Sequence, residues 1–425
     1  MQIETCGPLN AVVLAPGSKS LTQRALLLAA LAHGESRLKG ALLCQDTLHL
    51  IRALRGLGAT IKEDGPDLLV HGTGGKLRNP GREFFVGNNA TALRFLSSAL
   101  CLGSGTYRLT GSPRLCQRPV GPLLEALAEL GGRVASQKGD GCAPILVQGS
   151  GALRGGSIKL DGSQSSQYAS SLLLVAPLMS DGLELQLGEK AVSRPYVSLT
   201  VQSMRAFGVD VVAQESPRRF FVPGGQRYRA SFMEIEGDLS SASYFLAAAA
   251  LCGGKVRVQG VRRDTFQGDI RICQVLEHMG SRVTCGPDWI QVEGGPLRHG
   301  HMELDLGDAP DLVPTVAVVA AARQGLTRIA GVAHLRFKES DRLEVLAQNL
   351  HKAGVQVEQL EDGLVIHGGN PHSAEIDPHG DHRMAMSFAV LGLRVPGMII
   401  RDPDCVAKSY PGFWQDLRKV GGSWR

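Results

Sequence analysis

The feature that most constrains this chain is an internal repeat. A short polar stretch ending in a long apolar helix former recurs six times. It begins as Pro16-Gly17-Ser18-Lys19-Ser20 before the run to Leu31. It returns as Gly87-Asn88-Asn89-Ala90-Thr91, then as Gly162-Ser163-Gln164-Ser165-Ser166-Gln167. In the second half it reads Gly237-Asp238-Leu239-Ser240-Ser241, Gly307-Asp308-Ala309-Pro310-Asp311 and Gly380-Asp381-His382-Arg383. The marker glycines stand 70, 75, 75, 70 and 73 residues apart. A period near seventy means one supersecondary unit used six times, not six unrelated segments.

A second marker follows each first one: a helix end at glycine, then alternating strands. Leu57-Gly58-Ala59-Thr60-Ile61 leads to Asp67–Gly72, and Ala353-Gly354-Val355-Gln356-Val357 leads to Leu364–Gly368. Glycine suits the left-handed residue beyond a helix, and Val/Ile alternation suits half-buried strands. Three repeats make a plausible domain. The expectation is two similar α/β domains: residues 1–17 with 236–425, and residues 18–235. The N-terminal strand, residues 3–14, would complete the C-terminal domain. The chain would then cross between domains twice, an arrangement suited to a hinge that closes over substrate.

If the repeats are arranged alike, their helix N-termini share one surface. Free N–H groups and the helix dipole make each a seat for an anion. Lys19 and Arg24 add full charges to the first, where Ser18 or Ser20 is the N-cap candidate. The same stretch also fits an ordinary capped helix with solvated basic residues. Ser165, Ser166 and Gln167 offer two hydroxyls and an amide to one phosphate, with Ser193-Arg194-Pro195-Tyr196 as an addition, although a serine-rich cap is common in any helix. Arg118 lies in a proline-bracketed loop, where a rigid guanidinium can grip phosphate or carboxylate, or simply be solvated. Arg336–Leu343 packs five charges into a loop entering a helix, with Lys338 and Glu339 able to serve as base and acid. Asp381-His382-Arg383 and Lys408-Ser409 are two further cationic starts.

Composition narrows the classes. The chain has 425 residues, is 43% hydrophobic and carries a net charge of only +5, with aromatics at 5%. A broad nucleic-acid surface and a base-stacking platform are therefore disfavoured. Nine cysteines without a Cys-x-x-Cys pair suit reduced thiols in a cytoplasmic protein, not a zinc site or disulfide frame. No signal peptide and no membrane-length apolar run is read from the sequence. His299-Gly300-His301 and His379/Asp381/His382 lack metal-ligand spacing, so no metal is expected. A Walker loop and a dinucleotide fingerprint are both absent, so no nucleotide cofactor is indicated.

Taken together, these motifs resemble one family over the whole chain. Pro16–Ser20, Asn88–Arg94, Gln117-Arg118-Pro119, Ser165-Ser166-Gln167, Lys338-Glu339-Ser340-Asp341-Arg342, Asp381–Met386 and Ala407-Lys408 are similar to the 5-enolpyruvylshikimate-3-phosphate (EPSP) synthase branch of the enolpyruvyl transferases. The resemblance implies a two-domain inside-out α/β barrel of six repeated units, three per domain. It implies transfer of the enolpyruvyl group of phosphoenolpyruvate to the 5-hydroxyl of shikimate 3-phosphate, with release of phosphate. It further implies a cytoplasmic monomer that takes two small-molecule substrates, with no cofactor, no nucleic acid and no membrane.

The roles carried over follow the matched positions. Ser165, Ser166 and Ser193 would hold the shikimate 3-phosphate, with Gln167, Asp311 and Lys338 also on that substrate. Ser20 and Arg24 would meet its carboxylate. Arg118, Gln167, Arg342, Arg383 and Lys408 would grip phosphoenolpyruvate, Ala90 would line its pocket, and Lys19 would touch both substrates. Asp311 would take the hydroxyl proton, and Glu339, with Lys19 or Lys408, would deliver one to the methylene carbon. Two departures stand out. Asn88-Asn89-Ala90-Thr91 replaces the family's Asn-Ala-Gly-Thr, which implies reduced glyphosate sensitivity. His334 stands where the family places an asparagine on the shikimate phosphate. The rivals are a UDP-N-acetylglucosamine enolpyruvyl transferase, for which Cys116 beside Arg118 is the suggestive residue, and a non-catalytic scaffold binding phosphorylated ligands. Pro16–Ser20 with Ser165-Ser166-Gln167 disfavours the first. Asp311 and Glu339 among so many cations disfavour the second.

Overall fold

The computed structural model describes residues 1–214 and 218–425. The chain packs as two units, Met1–Pro16 with Glu236–Arg425, and Gly17–Ile235. The six apolar runs are six helices: α1 (Lys19–Leu31), α2 (Ala90–Ala99), α3 (Ser166–Val175), α4 (Leu239–Cys252), α5 (Val313–Ala322) and α6 (His382–Gly392). Every residue of α5 and α6 is buried, and all of α4 except Cys252. Helices apolar around their whole circumference must lie inside. In each unit they form the core, and the sheets surround them.

Five repeats carry a four-stranded sheet with one strand order. An edge strand runs parallel to the central strand, and two antiparallel strands follow. In the second repeat these are Phe84–Phe85, Ser104–Thr110, Ile145–Ser150 and Arg133–Ser136. The chain borrows strands to close this pattern. Phe232–Glu234, just before the chain leaves its unit, pairs parallel with Glu35–Lys39 of the first repeat. Leu9–Leu14 pairs parallel with Gly254–Gln259 of the fourth.

The N-terminal segment expected as one strand over 3–14 is instead two. Ile3–Glu4 pairs with Ser423–Trp424, while Gln2 bridges Ile399, which lies in the strand parallel to Glu375–Ile376. The first residues thus stand as third strand of the sixth repeat, and the break at Thr5–Pro8 lets the next strand serve the fourth. Gly7-Pro8 explains the break, since proline has no N–H for a ladder.

The second helix of every repeat ends at a glycine with positive φ: Gly58, Gly131, Gly208, Gly280, Gly354 and Gly421. Five of the six core helices start on a side-chain cap. Ser18, Asn89, Ser165, Asp238 and Asp381 accept from backbone N–H groups of the first turn. The fifth departs from the expected pattern. A 3-10 turn, Pro310–Leu312, precedes α5, and no side chain caps it. Pro310 and Pro314 supply no N–H to cap, so the carboxylate of Asp311 is left for other work.

Candidate active site

In the unit of residues 17–235, the polar residues gather at the starts of α1, α2 and α3. Ser18 caps α1 and leaves the next residues, Lys19 and Ser20, partly exposed. The Lys19 ammonium binds Asp46 Oδ2 at 2.9 Å. Asn89 caps α2 through its oxygen, and its amide donates to Gln23 Oε1 and to the Asp46 carbonyl, both at 2.7 Å. That one side chain locks the start of α2 against α1 and the helix Gln45–Gly56. Ala90, the first residue of α2, is buried beside it.

Arg24 is buried to 2% exposure. Its guanidinium donates to Thr200 Oγ1 (2.7 Å), Ser170 Oγ (3.2 Å) and the carbonyls of Ser20 (2.9 Å) and Tyr196 (3.1 Å). The rings of Phe95 and Tyr196 lie 5.4 and 5.9 Å from its centre. Burial pulls its pKa down to about 10. A cation held on neutral oxygens and aromatic faces is an incompletely compensated charge, which favours an incoming carboxylate.

Arg94 closes the Asn88–Arg94 motif. It connects three elements. One nitrogen donates to Ser165 Oγ (3.1 Å) and Gln167 Oε1 (2.7 Å), the other to the Pro119 carbonyl (3.0 Å). Because Gln167 Oε1 faces Arg94, its amide nitrogen faces Thr91 Oγ1 at 3.0 Å. Arg94 therefore sets the orientation of Gln167. Arg118 is buried and donates to the Asn88 carbonyl at 3.5 Å. Ser165, Ser166 and Ser193 are buried hydroxyls, and Ser193 has φ 53°. A serine in that left-handed region costs about 1 kcal/mol or more, and such outliers cluster at ligand sites.

In the unit that holds residues 236–425, the cations and acids form one buried cluster. Arg342 is its centre, at 1% side-chain exposure. Its Nε donates to Asp381 Oδ2 (2.8 Å), one terminal nitrogen to Asp311 Oδ1 (2.8 Å) and the other to Glu339 Oε2 (2.9 Å). Arg383 donates to the other oxygen of Asp311 at 2.8 Å and to the Tyr244 hydroxyl at 3.3 Å. Lys408 stands 3.6 Å from Glu339 Oε1. Three cations thus face three carboxylates. Asp381 also caps α6 and accepts from Ser340 at 3.2 Å.

Behind the cluster, Asp269 accepts from Ser240. Burial, and then the negative charge of Asp311, push its carboxyl up to about 7. His334 is held down to about 3, first by burial and then by Lys338. It is neutral at physiological pH, and its Nε2 has no hydrogen-bond partner among the described residues.

The family model for EPSP synthase (3-phosphoshikimate 1-carboxyvinyltransferase) matches residues 3–417. The chain belongs to the EPSP synthase family. It is 46% identical over 418 residues to the 3-phosphoshikimate 1-carboxyvinyltransferase of Methanosphaerula palustris, covering 98% of each chain. It is 45% identical over 423 residues to that of Methanoculleus marisnigri, covering 99% of each. Among solved structures, the EPSP synthase of Acinetobacter baumannii matches with a TM-score of 0.82 at 27% identity, over 100% of this chain and 99% of that one. The fold is accordingly the two-domain inside-out α/β fold of that family.

The sequence-predicted residues fall into two groups, one per unit. Lys19, Ser20, Arg24, Ala90, Arg118, Ser165, Ser166, Gln167 and Ser193 belong to the first. Asp311, Lys338, Glu339, Arg342, Arg383 and Lys408 belong to the second. Sequence reasoning missed the partners that hold them: Asp46, Arg94, Asp269 and Asp381. Asp381 carried a visible signal, as the polar residue before an apolar helix run, but its ion pair with Arg342 spans 39 residues and no spacing rule reaches that far. Among the described residues, no helix is long and apolar enough to cross a membrane.

Proposed function

We propose how these residues divide the work of the family's reaction. The chain is a transferase of the shikimate pathway, in aromatic amino acid biosynthesis: it moves the enolpyruvyl group of phosphoenolpyruvate to the 5-hydroxyl of shikimate 3-phosphate and releases phosphate. Ser165, Ser166 and Ser193 take the shikimate phosphate, with His334 as a neutral hydrogen-bonding partner and Lys338 as a charge. Arg24 and Ser20 take the shikimate carboxylate, which suits a buried guanidinium whose hydrogen-bond partners among the described residues are neutral. Arg118, Gln167, Arg342, Arg383 and Lys408 take phosphoenolpyruvate, and Lys19 serves both substrates. Two polyanions repel, so this number of cations is needed to hold them together.

Asp311 removes the proton from the 5-hydroxyl as its oxygen attacks C2 of phosphoenolpyruvate. Glu339, with Lys19 or Lys408, protonates C3, which becomes a methyl group. The tetrahedral intermediate then loses phosphate from C2 and a proton from the methyl, which restores the double bond. The observation that supports this reading best is Asp311. It is the one core-helix start among the six without a capping role, and both its oxygens rest on arginines assigned to phosphoenolpyruvate. An incoming phosphoenolpyruvate anion competes for those arginines and frees the carboxylate to act as base.

We further propose that the two units are the functional domains, hinged where the chain crosses at residues 16–17 and 235–236, and that the enzyme works as a cytoplasmic monomer without cofactor. The test is phosphate release with each substrate omitted in turn and UDP-N-acetylglucosamine offered as alternative acceptor. Release that needs both shikimate 3-phosphate and phosphoenolpyruvate is the expected result. Turnover with the sugar nucleotide, or saturable binding without turnover, overturns it.

A further inference from the structure

Outside the active site, two cysteines from distant parts of the chain meet. The sulfurs of Cys6 and Cys252 lie 3.8 Å apart. Cys6 sits in the break between the two N-terminal strands, and Cys252 is the last residue of α4. Their backbones are pinned close by. Cys6 N–H donates to the Leu393 carbonyl at 2.9 Å, and Leu9 N–H donates to the Gly253 carbonyl at 3.0 Å. A disulfide needs the sulfurs at about 2.05 Å, so closure asks for about 2 Å of movement. Gly253 and Gly254, both at positive φ, follow Cys252 and give the backbone room to adjust.

We propose that Cys6 and Cys252 are a reversible disulfide site, oxidised by a low-molecular-weight disulfide of the glutathione type. Thr5, Gly7 and Pro8 are exposed around Cys6, and a Cβ built on Gly7 meets nothing within 4 Å, so a small oxidant can approach. The hydrogen bond it shares with Cys252 lowers the Cys6 thiol from its ordinary range and, with the exposed chain around it, favours Cys6 as the attacking thiol. Arg394 is exposed, donates to the Leu251 carbonyl at 2.6 Å and favours the Cys252 thiolate. Its charge also suits the carboxylates of glutathione.

The Cys6 thiolate attacks one sulfur of glutathione disulfide. A mixed disulfide forms and one glutathione thiolate leaves. Cys252 is pushed up first by its hydrogen bond to Cys6 and then by burial. Capping Cys6 removes that first cause. Cys252 then gives its proton to solvent and attacks Cys6 Sγ, and the second glutathione thiolate leaves. Two protein thiols and one glutathione disulfide become one protein disulfide and two glutathiones.

The bond staples the N-terminal strands to the C-terminal end of α4 and closes a loop that contains all of residues 17–235. The active cluster is at the other end of that helix, where Ser240 binds Asp269, about 20 Å away at the usual rise. The oxidised enzyme is therefore expected to gain heat resistance and keep its turnover number.

The test treats the full-length protein with glutathione disulfide, blocks remaining thiols with an alkylating agent and maps disulfides by mass spectrometry without reduction. A Cys6–Cys252 peptide, a faster non-reducing gel band and reversal by dithiothreitol are expected. In Cys252→Ser the reaction should stop at a glutathione adduct on Cys6. Any of three results overturns the proposal: a bridge that leaves Cys6 and Cys252 unlinked, a lasting glutathione adduct on Cys6 in the unmutated protein, or no loss of either thiol.

Discussion

Asp381→Asn tests the charged cluster most directly. Asp381 is fully buried and binds Arg342 through Nε at 2.8 Å and a terminal nitrogen at 3.3 Å. It also accepts from Ser340 and from the Arg383 backbone. Asparagine keeps one acceptor oxygen, so the cap of α6 can survive. It removes the charge and turns an NH2 toward a guanidinium that can only donate. With charge centres about 4 Å apart and an effective dielectric near 20, the attraction removed is about 4 kcal/mol. Breaking one partner of a buried pair costs about 3–5 kcal/mol, which agrees. For a unit of this size, each kcal/mol moves Tm by about 2–4 °C, so calorimetry should show a fall of about 6–20 °C. Arg342 is then left to Asp311 and Glu339, so phosphate release should fall about a hundredfold as the proposed base is held more firmly. Ser340→Ala is the control. It removes one hydroxyl hydrogen bond to the same carboxylate oxygen and should cost about 1.5–3 kcal/mol. A Tm within about 2 °C of the unmutated protein, with activity intact, would refute the view that Asp381 balances Arg342.

Four further outcomes are expected. Asp269 has a folded-state pKa of about 7 against an ordinary 3.8. The native protein holds a proton that the unfolded chain has released, and stability is lost as pH rises through that window. Asp269→Asn cannot titrate, so its Tm relative to the unmutated protein should climb from pH 4.5 to pH 8, and a constant difference would contradict the assignment. Arg94→Leu should leave Gln167 unoriented and lower kcat/KM about 10–100-fold while the thermal transition persists; unchanged kinetics would make Arg94 purely structural. Ala90→Gly should raise glyphosate sensitivity in an inhibition titration, since the methyl at the buried start of α2 is what departs from the family motif; equal inhibition of both proteins removes the idea. Glu339→Gln should abolish hydrogen exchange at the methylene carbon of phosphoenolpyruvate more completely than Lys408→Met does, and the reverse order would make Lys408 the principal proton donor.

The repeat made much of the fold legible. Six polar starts at a period near seventy announced six core helices, and in five of them the expected type of residue is the cap. These are local interactions within about three residues, and local chemistry is what a sequence displays. The borrowed strands were harder to read. Nothing in Phe232–Glu234 says that it pairs beside Glu35–Lys39, because pairing across nearly two hundred residues leaves no spacing to detect. The site divides along the same line. The residues proposed to meet substrate show themselves by type and motif: Lys19, Arg118, Asp311, Glu339. The residues that hold them do so over long separations, as with Arg94 and Ser165 or Asp381 and Arg342.

The fifth repeat shows why a broken pattern carries more information than a kept one. In five repeats the polar residue at the helix start is consumed by capping, a structural duty that fixes where its oxygen points. In the fifth, prolines flank the turn, so that duty lapses and Asp311 turns its oxygens to Arg342 and Arg383. A carboxylate freed from its own helix can move without unravelling it, whereas Asp381 cannot leave Arg342 without also disturbing the cap of α6. Asp311, which has no cap to hold, is thus the acid suited to the proposed proton exchange, and Asp381 the one suited to hold the arginine still.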